Sequence, residues 1–187
     1  MTDSPANPPS DPAGAATGGE SDATAGTPGA GPGSQARVFL VVVDKSEEHK
    51  VALRYAALRA RKTGGRVALL YVLEPTDFQA FGAVEDLMRE EQRQEAERAL
   101  HVHSAEVQEL CGKTPVFHIR EGSLRDELLK LINEDRSISV LVLAAAAGGK
   151  NPGPLISALA GKMWQELRIP MTIVPGSLST EELELLT

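Results

Sequence analysis

The stretch from Val140 to Lys162, VLVLAAAAGGKNPGPLISALAGK, sets glycines, an asparagine and two lysines directly behind a run of apolar residues. That is the pattern of a buried strand opening into a glycine-rich turn and then a helix, the usual geometry of a phosphate-binding loop. Gly148 and Gly149 allow backbone N–H groups to converge on anionic oxygens, and Lys150 or Lys162 could add positive charge. Two features work against that chemistry. Neither GxGxxG nor GxxxxGK[ST] is present, and Pro152 and Pro154 each remove an N–H donor. The competing reading is a long turn that leads into a helix, with Pro154 near the helix's first position.

Other reactive side chains form no constellation. His101 and His103 lie two apart on a helical stretch and so point away from each other, and His49 and His118 have no partner at ligand spacing. The acidic run at Glu90, Glu91, Glu95 and Glu97 alternates with arginines, as expected of a solvated helix face. The single cysteine, Cys111, reads as a small apolar residue near a helix end. With no nucleophile–base pair in view, neither catalytic residues nor a metal site is assigned.

The elements that would position the loop alternate in type. Arg37 to Val43, Arg66 to Leu73, Pro115 to Arg120, Ile138 to Ala145 and Pro170 to Pro175 are short, β-branched apolar runs, as in strands buried on both faces. Between them lie helical stretches. The first is expected to be capped by Ser46 and stopped at Gly64-Gly65; the second runs from about Ala83 to Leu110 after a loop at 76–82, with a middle that has almost no apolar face. The third follows Gly122 with Leu124, Leu128, Leu131 and Ile132 inward, and the fourth ends near Arg168. Trp164 is expected on the sheet or at a subunit contact. A capping box, Ser179 to Glu182, marks one or two helical turns at the end.

The order βαβαβαβαβ specifies an α/β fold with a five-stranded parallel, doubly wound sheet and helices on both faces. In such a sheet ligands bind beyond the carboxyl ends of the strands, here between the first and fourth if the strand order is 2-1-3-4-5 or 3-2-1-4-5. Pro170 to Pro175 suits an edge strand that pairs across a two-fold axis while its prolines limit further addition.

Composition divides the 187 residues into an Ala/Gly/Pro-rich tail at 1–36, without Lys or Arg and expected to be disordered, a domain at 37–176, and a short helical tail at 177–187. The net charge of −7 argues against nucleic acid or an anionic membrane as partner. No stretch is long and apolar enough to span a bilayer, and no secretory or transit signal is evident, so the expected location is cytoplasmic.

The segments VFLVVVDKSEEHKVALRYAALRARKTGGRVALLYVLEP, IREGSLRDELLKLI, ISVLVLAAAAGG and LAGKMWQELRIPMTIVP, in that order, resemble the universal stress protein family over nearly all of 37–176. The resemblance implies a Rossmann-like fold of the adenine-nucleotide alpha-hydrolase type, a stress-responsive regulatory or sensor role, and a homodimer through the last strand. It also implies a site for weak binding of ATP, with magnesium, or of a related adenine nucleotide, while the SGGxDS loop of pyrophosphatase-type relatives is absent. The family's loop has the form G-x2-G-x9-G-[ST]. A gap-free register matches it to Gly148, Asn151, Gly161 and Lys162, with Asn151 in place of a glycine and Lys162 in place of a hydroxyl. A second register starts at Ala145 and Gly148 and treats Asn151-Pro152-Gly153 as an insertion; both stay open. By the same resemblance Asp44 takes the adenine end, accepting from an amino group or ribose hydroxyl, Val72 forms an apolar wall for the base, and Gly149 lies in the phosphate turn. An interaction module that has lost the nucleotide and a slow nucleotide hydrolase are the competing functions.

Overall fold

The computed structural model describes residues 36–75, 83–148 and 151–187. The expected tail up to residue 35, the loop at 76–82, and Gly149 with Lys150 lie outside the described residues.

The apolar runs form five strands: β1 (Val38–Val42), β2 (Arg66–Leu73), β3 (Val116–Glu121), β4 (Ile138–Ala145) and β5 (Met171–Pro175). They pair in parallel in the order β3-β2-β1-β4-β5, the second of the two anticipated orders. β1 is central and buried along its whole length because apolar layers cover both of its faces. Alternate residues divide between those layers. Phe39, Val41 and Val43 pack under α1 (His49–Thr63), α2 (Ala83–Cys111) and a terminal helix, α5 (Thr180–Leu186). Val38, Leu40 and Val42 pack under α3 (Leu124–Glu134) and α4 (Pro154–Gly161). The register of β4 on β1 shifts between Val38 and Phe39, which carries the inward faces of both strands into the same layers.

Local signals set most helix ends. α1 stops where Gly64 turns left-handed at φ 69°. At α5 both bonds of the capping box form: the Ser179 hydroxyl accepts from the Glu182 N–H and the Glu182 carboxylate accepts from the Ser179 N–H. Cys111 ends α2 and is buried.

Three helix expectations need correction. Ser46 does not cap α1, which begins three residues later, because its N–H and hydroxyl both donate to Asp44. α4 ends at Gly161 instead of continuing to Arg168; a short 3₁₀ turn at Trp164–Glu166 follows, and the Arg168 guanidinium donates to the carbonyl of Ile132. Of the two places expected for Trp164, the sheet is excluded, since the residue is 60% exposed; that exposure leaves the subunit contact as the reading.

Candidate functional site

β1, β2 and β4 end on one edge, and their following loops turn outward there. Asp44, two residues past β1, lies between two cavities. The larger, about 520 Å³, lies over the ends of β1 and β2 and is lined by Asp44, Lys45, Tyr71, Val72, Glu74 and, from α2, Gln92 and Glu95 among others. Its size is in the range of small-ligand sites. The smaller, about 210 Å³, opens between β1 and β4, where the winding of the sheet reverses. Glu48, Ala146, Pro152, Gly153 and Pro154 are part of its wall.

Asp44 Oδ1 accepts from the Ser46 N–H at 2.9 Å and from the Ser46 hydroxyl at 2.6 Å. These bonds fix the carboxylate's orientation. Oδ2 has no partner among the described residues, and the side chain is 47% exposed. Val72 and Tyr71 supply apolar and aromatic surface beside it. Burial raises the Tyr71 phenol above its ordinary value, helped by the charges of Glu95 and Asp44, so it stays a neutral donor.

The β4–α4 loop is a built turn. Gly148 is left-handed at φ 74°, and the Ala146 N–H reaches back to the Pro152 carbonyl at 3.2 Å. Asn151 Oδ1 accepts from the Gly153 N–H at 3.2 Å and from the Ser157 hydroxyl at 2.7 Å. Gly153 stands before α4 with φ 113° and ψ 155°, a conformation almost confined to glycine. Pro154 then opens the helix with no N–H to satisfy.

The structure thus brings Asp44 and Val72 together in the larger cavity, with Gly148 and Asn151 in the turn beside the smaller one. It does not bring Gly161 and Lys162 there. They close the far end of α4, about 12 Å along the axis from its start at 1.5 Å per residue. The glycine at the helix start is Gly153, in the segment read as an insertion by the second register. Its signal was the Gly-Pro pair, which marks a turn running into a helix.

The histidines also need correction. His49 has a partner: its Nε2 lies 3.0 Å from Nε2 of His103, with the rings edge-on and both residues buried between α1 and α2. His49 Nδ1 donates to the Ser46 carbonyl at 2.5 Å and lies 3.6 Å from Asp44 Oδ1. His103 Nδ1 is buried without a partner. Burial holds the His103 imidazole below its ordinary value, and the neighbouring His49 adds to this. The two residues are 54 apart in sequence, so no spacing rule could pair them. Among the described residues no group of three metal-ligating side chains converges, and no helix is long and apolar enough to cross a membrane.

The universal stress protein family model matches residues 36–175. Solved structures with the same fold include universal stress protein UspA from Lactobacillus plantarum, 17% identical with a TM-score of 0.61, covering 75% of this chain and 99% of that one. A universal stress protein in complex with cAMP is 16% identical with a TM-score of 0.56 and covers 77% of this chain and all of its own. A family member from Arabidopsis thaliana with AMP bound is 14% identical with a TM-score of 0.51, covering 74% of this chain and 91% of that one. At these identities the likeness is one of fold. No curated protein matches the chain.

Proposed function

The chain belongs to the universal stress protein family, and on that premise we propose that it is a regulatory module that binds an adenine nucleotide at the carboxyl edge of β1, β2 and β4. The observation that carries this reading is the place of Asp44. It stands at the join of two cavities, oriented by Ser46 and with one carboxylate oxygen uncommitted among the described residues. That oxygen suits a ribose hydroxyl or an exocyclic amine. Val72 and the Tyr71 ring form the wall for a base, and the phosphate end points to Gly148 and the start of α4. Family members holding cAMP and AMP support an adenine ligand. The module works in the cytoplasm as a homodimer in the response to stress. The dimer forms through β5, an edge strand that leaves Ile173 42% exposed.

Titration calorimetry of the full chain with AMP and with cAMP tests the ligand. Saturable binding is expected, weakened about tenfold in Asp44→Asn, the loss of one hydrogen bond to a charged acceptor at roughly 1.5 kcal/mol. No heat at millimolar nucleotide would overturn this reading and favour an interaction module without nucleotide. Sedimentation tests the dimer: a monomer at micromolar concentration would refute it.

A further inference from the structure

Among the described residues of the β4–α4 loop and the start of α4, four donors that a phosphate could use are spent within the protein. The Ala146 N–H goes to the Pro152 carbonyl, and the Gly153 N–H and Ser157 hydroxyl go to Asn151 Oδ1. Pro152 and Pro154 have no N–H. The Ala147 N–H donates to Glu48 Oε1 at 3.3 Å, across 99 residues of sequence. A carboxylate oxygen from the start of α1 thus takes a loop amide where a phosphate oxygen would otherwise bond. Glu48 is held in this position from behind. A Cβ on Gly176 would meet the Ala145 carbonyl and come within 2.8 Å of Glu48 Cγ, so only a glycine leaves room for the side chain.

Charge points the same way. Among the described residues lining the two cavities, Asp44, Glu48, Glu74 and Glu95 face a single lysine, Lys45. A helix N-terminus does attract anions. Here the carboxylate of Glu48 in the same cavity opposes a second anion more strongly as the ligand's charge grows.

We propose that Glu48 is a specificity-determining residue: an internal anion that makes this site select an adenine nucleoside, or a nucleotide with one weakly charged phosphate, against a polyphosphate. This rests on the adenine-nucleotide reading above and narrows its ligand class. Asp44 and Val72 attract the base and ribose of every candidate alike. Discrimination arises only where the phosphates reach the Glu48–Ala147 contact, because selectivity comes from an interaction that penalises the wrong ligand.

Calorimetry of the full chain with adenosine, cAMP, AMP and magnesium-free ATP, at low and at moderate salt, tests the proposal. Adenosine and cAMP should bind at least about tenfold more tightly than ATP, with the gap narrowing as salt rises, because screening weakens the repulsion. Glu48→Gln keeps an acceptor for Ala147 but removes the charge, and should shrink the adenosine-to-ATP affinity ratio about tenfold. Glu48→Ala, which also frees the amide, should shrink it at least as far, and thermal melts of both variants establish that they fold. ATP binding tightest to the unmodified chain, or a ratio unmoved in both folded variants, overturns the role of Glu48 and leaves the nucleotide site standing. No binding by any of the four overturns the nucleotide reading itself and this inference with it.

Discussion

Gly153 and Gly161 are both plausible loop glycines by sequence, but the structure gives them opposite roles, and an alanine at each separates the two. Gly153 precedes α4 at φ 113° and ψ 155°, and a Cβ there would meet nothing within 4 Å. The cost of Gly153→Ala is therefore conformational, of order 1–3 kcal/mol for a side chain held in that region. If the backbone relaxes to escape the strain, it gives up the bond from the Gly153 N–H to Asn151 and the first helical bond, from the Ser157 N–H to the Gly153 carbonyl. Gly161 is the last residue of α4, has ordinary helical geometry and also has open space at its Cβ. Alanine exceeds glycine by about 1 kcal/mol in a helix interior, so a gain of roughly 0.5 kcal/mol is expected at this end position. For a domain of this size each kcal/mol moves Tm by about 2–4 °C. Gly153→Ala should lower Tm by about 2–12 °C, and Gly161→Ala should raise it by about 1–2 °C. Urea unfolding at neutral pH supplies the free energies directly. A neutral Gly153→Ala beside a costly Gly161→Ala would refute the placement of α4 and restore the gap-free register.

The other expectations concern the pH response, the C-terminal helix and the ligand. The His103 imidazole is held below its ordinary value by burial first and by His49 second, with Lys50 adding to this and Glu106 opposing it, and burial lowers His118 too. The unfolded chain then binds protons first, so this share of stability is complete above about pH 6.5 and is lost as pH falls from there through the lower folded values. Urea midpoints between pH 8 and 5 should fall less steeply in His103→Leu; identical slopes would show that His103 binds protons equally in the folded and unfolded chain and would refute the lowering. Asp135, lowered mainly by its hydrogen bond from the Ser137 hydroxyl, acts in a separate and more acid window. Ser179→Ala removes the acceptor of the capping box and should cost about 1 kcal/mol by urea unfolding; no change would mean that burial of Leu183 alone seats α5. Asp44→Asn and the two Glu48 variants, read by calorimetry, complete the set.

Much of the fold is legible because its signals are local. β2 and β4 have the bounds read from their apolar runs, and Gly64 and the Ser179–Glu182 pair mark helix ends through backbone conformation and short-range bonds. The reading of Ser46 as a cap failed for a reason that is also local but competitive. Its hydroxyl had two possible partners, and the carboxylate two residues earlier took it. The fourth helix was overextended because nothing in LAGKMWQELR forbids helix.

By itself the sequence determined the order of strands and helices, which edge of the sheet is the carboxyl edge, and the position of Asp44 on that edge. These follow from hydrophobic periodicity and chain order, which each segment carries alone. Only the tertiary structure decided the sheet order, the choice of Gly153 over Gly161 at the start of α4, the meeting of His49 with His103, and the capture of the Ala147 amide by Glu48. Each of these depends on which donor finds which acceptor, or on which strand neighbours which. Residues 54 and 99 apart compete for such partners only once the chain has closed around them.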